Sequence, residues 1–380
     1  MRILTVDIGT GTQDIYLYDS QLDLENGYKL VLPSPTMMVH RRIQEATRQR
    51  RPILLEGVMM GGGPSAWAAE NHLRAGFPLY ATPPAARSFN DDLDAVRAMG
   101  VRIVSEDEAA RLPDAVERVK MQDFDFTAIS HAFAGFGVSL SNLAAVAVAV
   151  FDHGDAPPDV SDRKFRFDYL DERIRAENRL TAFAYRAGEV PAIMTRLQAV
   201  VSTARGLDAP LVVMDTAPAA VLGATFDPHA AGAALIANVG NFHTLAFRLG
   251  HGGIEGIFEH HTGMLTREKL EALLDALAAG TLANEAVFDD MGHGALVYNP
   301  TPLESKGMEN GVIVTGPRRG LLYGSRLRPY FAVPFGDMMI TGCFGLLAAT
   351  ADKLPELREP ILASLAGRSP GLPPWEAANV

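Results

Sequence analysis

Cysteine is nearly missing: Cys343 is the single one in 380 residues. That excludes an intrachain disulfide, a zinc site built on cysteines, and an iron–sulfur cluster held by several thiolates of one chain. Basic residues are also short, with 34 Lys and Arg against 45 Asp and Glu and a formal net charge of −11. A general attraction to phosphate backbones or anionic lipid is therefore not expected, and neither nucleic acid nor a membrane is an expected partner. No apolar run approaches the roughly 20 residues that span a bilayer, and MRILTVDIG reaches Asp7 before a signal-peptide core could form. The expected location is the reducing cytoplasm. What is present is 48% hydrophobic residues with 21% charged, enough to bury real cores. The length suits two ordinary domains or one large α/β body, and no fixed-period repeat marks a solenoid.

Residues 2–18 read as a β-hairpin with a GTGT turn, and Lys29 to Leu32 could complete a meander. TMMVHRRIQEATRQR has helical spacing. From PILLEGVMM onward, strands and helices alternate over residues 53–104, which implies a parallel sheet. LAAVAVAVF is a further buried strand ending at Asp152-His153-Gly154, and the polar stretch 155–178 reads as an exposed inserted loop. APLVVMDTAPAAVLGA is a strand entering a small-residue helix. A second polar-glycine hairpin then opens near residue 233, an amphipathic helix ends at Gly280, and the Pro-rich tail 367–380 is expected to be partly unordered. Two meanders, each followed by helical and strand segments, suggest a duplicated fold whose hairpin turns face each other across a cleft.

VDIGTGTQD places Asp7 at the end of a buried strand, then Gly9, Thr10, Gly11 and Thr12 in the turn. Glycines let backbone N–H groups converge on an anion, threonine hydroxyls add donors, and Asp7 can hold the water shell of a Mg²⁺ that bridges phosphates. A plain hairpin with a half-buried capping Asp fits the same residues. ANVGNFHTLAF repeats the idea with Asn238, Gly240, Asn241, His243 and Thr244.

These segments resemble the actin, sugar-kinase and heat-shock-chaperone ATPase superfamily, whose nucleotide cleft is marked by five segments in fixed order. VDIGTGTQDIYLYD resembles the first phosphate loop, MDTAPAAVLGA the first connecting helix and IANVGNFHTLAF the second phosphate loop. GVIVTGPRRG is similar to the adenosine turn, and MMITGCFGLLAA to the second connecting helix. Together they span residues 3–350. With MMGGGP and EHHTG added, the chain resembles a prokaryotic branch whose members are sometimes labelled pyruvate formate-lyase activating enzymes. A radical activase needs three cysteines for its cluster, and this chain has one.

The resemblance implies a duplicated ribonuclease-H-like α/β fold with two domains. The first covers 1–224 plus 338–380, with a βα insertion at about 53–130, and the second covers 225–337. It further implies that Asp7 organises Mg²⁺ and that Gly9 to Thr12 bind the β- and γ-phosphates of ATP. Asp215 would orient a water or acceptor hydroxyl, Gly240 and Thr244 would clasp the phosphates, and Thr315 and Gly316 would approach adenosine. Small residues Ala219, Ala220, Gly223 and Gly342 would pack at the hinge. Asn238 stands where the family has an acid and Pro317 where it has a glycine.

Outside the resemblance, Gly61-Gly62-Gly63-Pro64 is a glycine loop opening a helix, suited to an anion or simply to a tight connection. It is not a dinucleotide fingerprint, because the GxGxxG spacing is missing. Histidines 131, 153, 243, 251, 260, 261 and 293 cluster near turns. They could bind a divalent metal, serve as acid and base, or only hydrogen-bond, and His260 and His261 must face opposite ways. His153 and His260 are candidate substrate residues, and Asp152 at a strand end is a third candidate base. Cys343 reads as a buried small hydrophobe. The leading expectation is a Mg-dependent, ATP-binding phosphotransferase or ATPase acting on a small molecule, with a homodimer left open. A non-catalytic nucleotide-responsive protein is the alternative, and a Rossmann-like oxidoreductase on residues 53–151 is a weaker one.

Overall fold

The structure is a computed structural model that describes residues 1–230, 234–303, 312–369 and 371–377. β1 (Arg2–Ile8), β2 (Thr12–Asp19) and β3 (Tyr28–Pro33) form an antiparallel meander. The helix Pro35–Arg48 then leads into a separate parallel sheet of β4 (Ile53–Gly57), β5 (Leu79–Ala81), β6 (Arg102–Ile103) and β7 (Glu117–Met121), in the order β6-β5-β4-β7. This insertion has its own core around Ile53, Leu55, Ala69 and Val119.

The chain returns to the first sheet through β8 (Ala145–Val150), whose AVAVAV run is buried along its whole length, as a central parallel strand requires. β9 (Ala184–Arg186) and β10 (Leu211–Asp215) complete the order β3-β2-β1-β8-β10-β9. The second large sheet contains β11 (Ala234–Val239), β12 (His243–Gly250), β13 (Gly253–His261), β14 (Gly294–Val297), β15 (Val312–Thr315) and β16 (Tyr330–Phe331). Its order is β14-β13-β12-β11-β15-β16. In both sheets three consecutive antiparallel strands are followed by two strands that lie parallel beyond the first. The two sheets share this strand order and differ at their edges, where β9 joins one and β14 the other, both antiparallel. One apolar cluster runs from Leu4, Val6 and Val148 to Ile236, Phe247 and Ile313, joining the two halves.

The helix Thr216–Ala224 leaves β10 and crosses the helix Thr341–Lys353, which covers the other face of the first sheet. A Cβ on Gly223 would lie 1.8 Å from the Thr341 carbonyl oxygen, and one on Gly345 would lie 1.9 Å from that of Ala219. The crossing is backbone to backbone, so it uses Gly345 rather than Gly342.

Two further expectations change. The stretch 155–178 is not an exposed loop: Asp162–Ala176 is a helix that buries Arg166, Phe167, Tyr169, Leu170 and Ile174. A buried arginine on its apolar face and charges elsewhere erase the usual amphipathic signature. In the tail, the Leu372 N–H donates to the Gln21 carbonyl and the Ser369 hydroxyl to Asp23, while residues 370 and 378–380 lie outside the described residues. Among the described residues no helix is long and apolar enough to cross a membrane.

Candidate functional site

The two hairpin turns face each other. The Gly9 N–H donates to the Thr12 carbonyl (2.9 Å) and the Gly240 N–H to that of His243 (3.0 Å), so the same tight turn is built twice. A Cβ on Gly11 would come 2.4 Å from Asn241 Nδ2, so a side chain there would push Asn241 aside where the turns touch. Between them lies a cavity of about 180 Å³ bordered by Gly9, Thr10, Thr12, Asn238, Gly240 and Asn241. Thr315, Gly316 and Pro317 form its far wall, and Met338 and Thr341 line it as well. Ligand pockets usually measure roughly 300–1,000 Å³, so this cleft is smaller than most.

Two buried carboxylates project into this cavity. The turn fixes the register Asp7↔Asp14 across β1 and β2, which puts both side chains on one face. Burial, together with the charge of Asp215, pushes Asp7 up to about 7, against a 2.5 Å hydrogen bond that its Oδ1 accepts from the Thr216 hydroxyl. Burial and the Asp7 charge push Asp14 up to about 8, and its Oδ1 has no hydrogen-bond partner. Gly342 exists for this site, since a Cβ there would sit 1.9 Å from Asp7 Oδ2.

Asp215 lies one layer behind and does not border the cavity. It accepts from Arg166 (2.7 Å) and from the Ala217 N–H (3.1 Å). Arg166 is fully buried and also pairs with Glu259 (2.7 Å) and donates to the Asp152 carbonyl, while its guanidinium lies 4.0 Å over the Phe151 ring. Burial opposes its charge, but Asp215 and Glu259 outweigh that and hold it protonated. One arginine thus ties the first sheet to the second.

The glycine loop forms a third wall. Gly61, Gly62 and Gly63 border both this cavity and a second chamber of about 1000 Å³ at the carboxyl ends of β4 and β5. Each glycine also has a packing reason: Cβ atoms would approach Arg196 at Gly61 (2.6 Å) and the Ser88 carbonyl at Gly62 (2.3 Å), and Gly63 has φ +48°. Arg196 donates to both oxygens of Asp123 (2.7 and 2.9 Å) and to the Phe151 carbonyl, so a half-buried arginine paired with a carboxylate stands at the junction of the two spaces. Trp67, on the Pro64–Arg74 helix that follows the loop, meets Phe242 of the second hairpin with ring centroids 5.9 Å apart.

The remaining candidates divide. Both Asp152 oxygens accept backbone N–H groups, from Gly154 and Leu197 (2.9 Å each), so Asp152 anchors a turn and the helix Thr195–Thr203 instead of offering a free base. Thr244 faces away from the cavity and its hydroxyl pairs with that of Thr262 (2.9 Å). His260 likewise points to the far face and meets Asp290 (3.1 Å), while His261, its neighbour, turns inward. His153 borders both chambers, and His243 borders the first. With buried His293 these two half-buried histidines form a group whose facing nitrogens lie within 4.8 Å of one another. Burial and nearby arginines push His153 down to about 3, burial and the other imidazoles drive His243 well below its usual value, and burial with neighbouring His153 lowers His293. All three are neutral imidazoles at neutral pH.

Asp14, Arg166, Arg196 and Gly345 escaped the sequence reading. The register set by the GTGT turn could have found Asp14, seven residues after Asp7 on the paired strand. Arg166 and Arg196 carry no local signal, because their partners are distant in sequence.

A family model described as "Putative pyruvate format-lyase activating enzyme (DUF1786)" matches residues 60–321. No curated protein matches the chain in sequence. Solved structures similar to it include an activator of the 2-hydroxyisocaproyl-CoA dehydratase from Clostridium difficile with bound ADPNP, at 9% identity over 91% of this chain and 92% of that one, TM-score 0.33. An exopolyphosphatase-like protein aligns at 10% identity over 83% and 66%, TM-score 0.26. A ROK hexokinase from Thermus thermophilus aligns at 13% identity over 98% and 90%, TM-score 0.24.

Proposed function

We propose that this chain, which belongs to the DUF1786 family, binds a nucleoside triphosphate such as ATP between its two repeated hairpins. It then passes the terminal phosphoryl group to water or to a small molecule held beside the glycine loop. The observation that carries this reading is the Asp7–Asp14 pair. Two adjacent buried carboxylates lie in a glycine-walled cavity, one with an oxygen that has no partner. Such a pair is costly unless a cation or protons neutralise it, and it fits Mg²⁺. When bound there through water, Mg²⁺ would neutralise phosphate charge.

Around it, the turns Gly9–Thr12 and Gly240–Asn241 supply backbone groups to the phosphates, and Thr315–Gly316 lie toward the nucleoside. Arg166 pairs with Asp215 one layer behind and partly offsets its charge. The second chamber lies at the carboxyl ends of strands of an open parallel sheet, the usual place for a ligand in such sheets, and Arg196 at its mouth suits an acceptor with an oxygen to orient. The radical chemistry in the family's description finds no support, because the lone Cys343 is buried and its thiol donates to the Asp14 carbonyl.

The test is ADP formation from Mg·ATP in single turnover. The wild type should produce ADP only with Mg²⁺, and Asp7→Asn or Asp14→Asn should cut the rate by at least about 100-fold. Undiminished ADP formation in both variants would refute the assignment. ATP binding without any ADP would select the binding-only reading, for which Asn238, facing the cavity where Asp7 stands in the first half, is the motivating observation.

A further inference from the structure

We infer that His153, His243 and His293 form a binding site for a divalent transition-metal ion of the zinc, cobalt or nickel type, distinct from the carboxylate site. Among the described residues they are the one group of three or more His, Cys, Asp or Glu side chains close enough to share an ion. The three come from separate segments: the loop after β8, the start of β12 and the residue before β14.

Two observations beyond proximity point to a ligand. His243 Nε2 is buried without any hydrogen-bond partner, although an imidazole normally uses both nitrogens. Glu259 stands behind the cluster with its Oε1 3.5 Å from His293 Nδ1, which leaves Nε2 as that ring's nitrogen for an ion. A carboxylate at the back of an imidazole is the arrangement that orients metal-binding histidines and raises their basicity. The His243 ring is fixed by stacking on Phe151 with centroids 4.2 Å apart and planes at 11°. Arg166 nearby is offset by Glu259 and Asp215.

Metal–nitrogen bonds of about 2.1 Å in a tetrahedral site put ligand nitrogens roughly 3.4 Å apart, so with all three nitrogens within 4.8 Å of one another each ring moves inward by about 0.8 Å at most. Three neutral imidazoles suit borderline ions better than Mg²⁺ or Ca²⁺, which select oxygen. Three protein ligands leave a coordination position open, the pattern of a catalytic rather than a structural zinc site. Because His153 borders both chambers and His243 the first, that position faces the space between them. The exchangeable ligand is therefore an oxygen donor, the carboxylate or hydroxyl of a small molecule.

The full chain, stripped with chelator and free of nucleotide, is titrated with Co²⁺ and then Zn²⁺, with optical spectra and equilibrium dialysis as readouts. The expected result is one Co²⁺ per chain with visible d–d absorption, displaced by Zn²⁺. His153→Gln and His243→Gln, both at half-buried positions, should abolish stoichiometric binding, and Glu259→Gln should weaken it 10–100-fold. His261→Ala, which removes a neighbouring imidazole outside the trio, should leave affinity within about threefold. No stoichiometric Co²⁺ or Zn²⁺ binding by the wild type, or binding undiminished in both glutamine variants, would overturn the inference. The titration reads the metal directly, so its outcome is independent of whether ATP binds or turns over.

Discussion

Replacing Asp14 with asparagine should stabilise the ligand-free protein at neutral pH while destroying its proposed metal site. Burial and the Asp7 charge hold Asp14 at about 8, against 3.8 for the free side chain. Between those values the folded state keeps a proton that the unfolded state has released. Stability conferred by that proton is complete below about pH 4 and is lost as pH rises toward about 8, by about 1.4 kcal/mol per pH unit. At pH 7.5 the accumulated cost reaches about 5 kcal/mol as an upper bound, and relaxation of the site would reduce it. Asn has nearly the same shape and no charge, so it escapes this cost. Urea unfolding at pH 5.5, 6.5 and 7.5 in chelator measures it. The variant should be more stable than the wild type at pH 7.5 by several kcal/mol, with a pH slope shallower by about one proton. Millimolar Mg²⁺ should restore part of the wild-type stability and leave the variant unchanged. Equal slopes, or a variant less stable than the wild type at pH 7.5, would refute the claim that Asp14 is an uncompensated buried acid.

Three other outcomes are expected. Gly342→Ala would drive a methyl group into Asp7 Oδ2, at 1.9 Å in the unrelaxed structure. It should cost about 1–3 kcal/mol in chemical denaturation and remove any thermal shift with Mg·ATP; a retained shift would contradict the placement of Asp7. Arg166→Gln leaves Asp215 and Glu259 buried without their cation, so urea unfolding should show a loss of about 3–5 kcal/mol, and a neutral effect would show that the network is not structural. Trp67 touches Phe242 across the cleft. Its fluorescence, read in a Trp375→Phe background, should change when Mg·ATP enters, whereas an unchanged spectrum with bound nucleotide would show that nucleotide leaves this contact as it is.

The elements that local pattern controls were legible in the sequence. The GTGT and GNF turns, the buried AVAVAV strand and the Gly280 helix stop each depend on residues a few positions apart, and with them came the two meanders and the position of Asp7. The site itself was legible only in part. Asp14 needed the hairpin register. Arg166 disguised its helix as a loop, because a buried ion pair spanning 93 residues to Glu259 looks like surface charge when read along the chain. Thr244 and His260 lie on strands at the right positions but on the wrong face, a one-residue matter of strand parity. The histidine group combines three separated segments, so its convergence is a property of the fold alone.

The central claim is that a nucleotide occupies the cleft between the hairpins, and thermal unfolding with Mg²⁺ and millimolar ATP or ADP, wild type beside Asp7→Ala, tests it most directly. At about 100 times its dissociation constant a ligand stabilises by about 2.7 kcal/mol, which shifts the melting point of a protein this size by degrees. The account predicts such a shift for the wild type and its loss in Asp7→Ala. No shift with either nucleotide, or an equal shift in the variant, would contradict it.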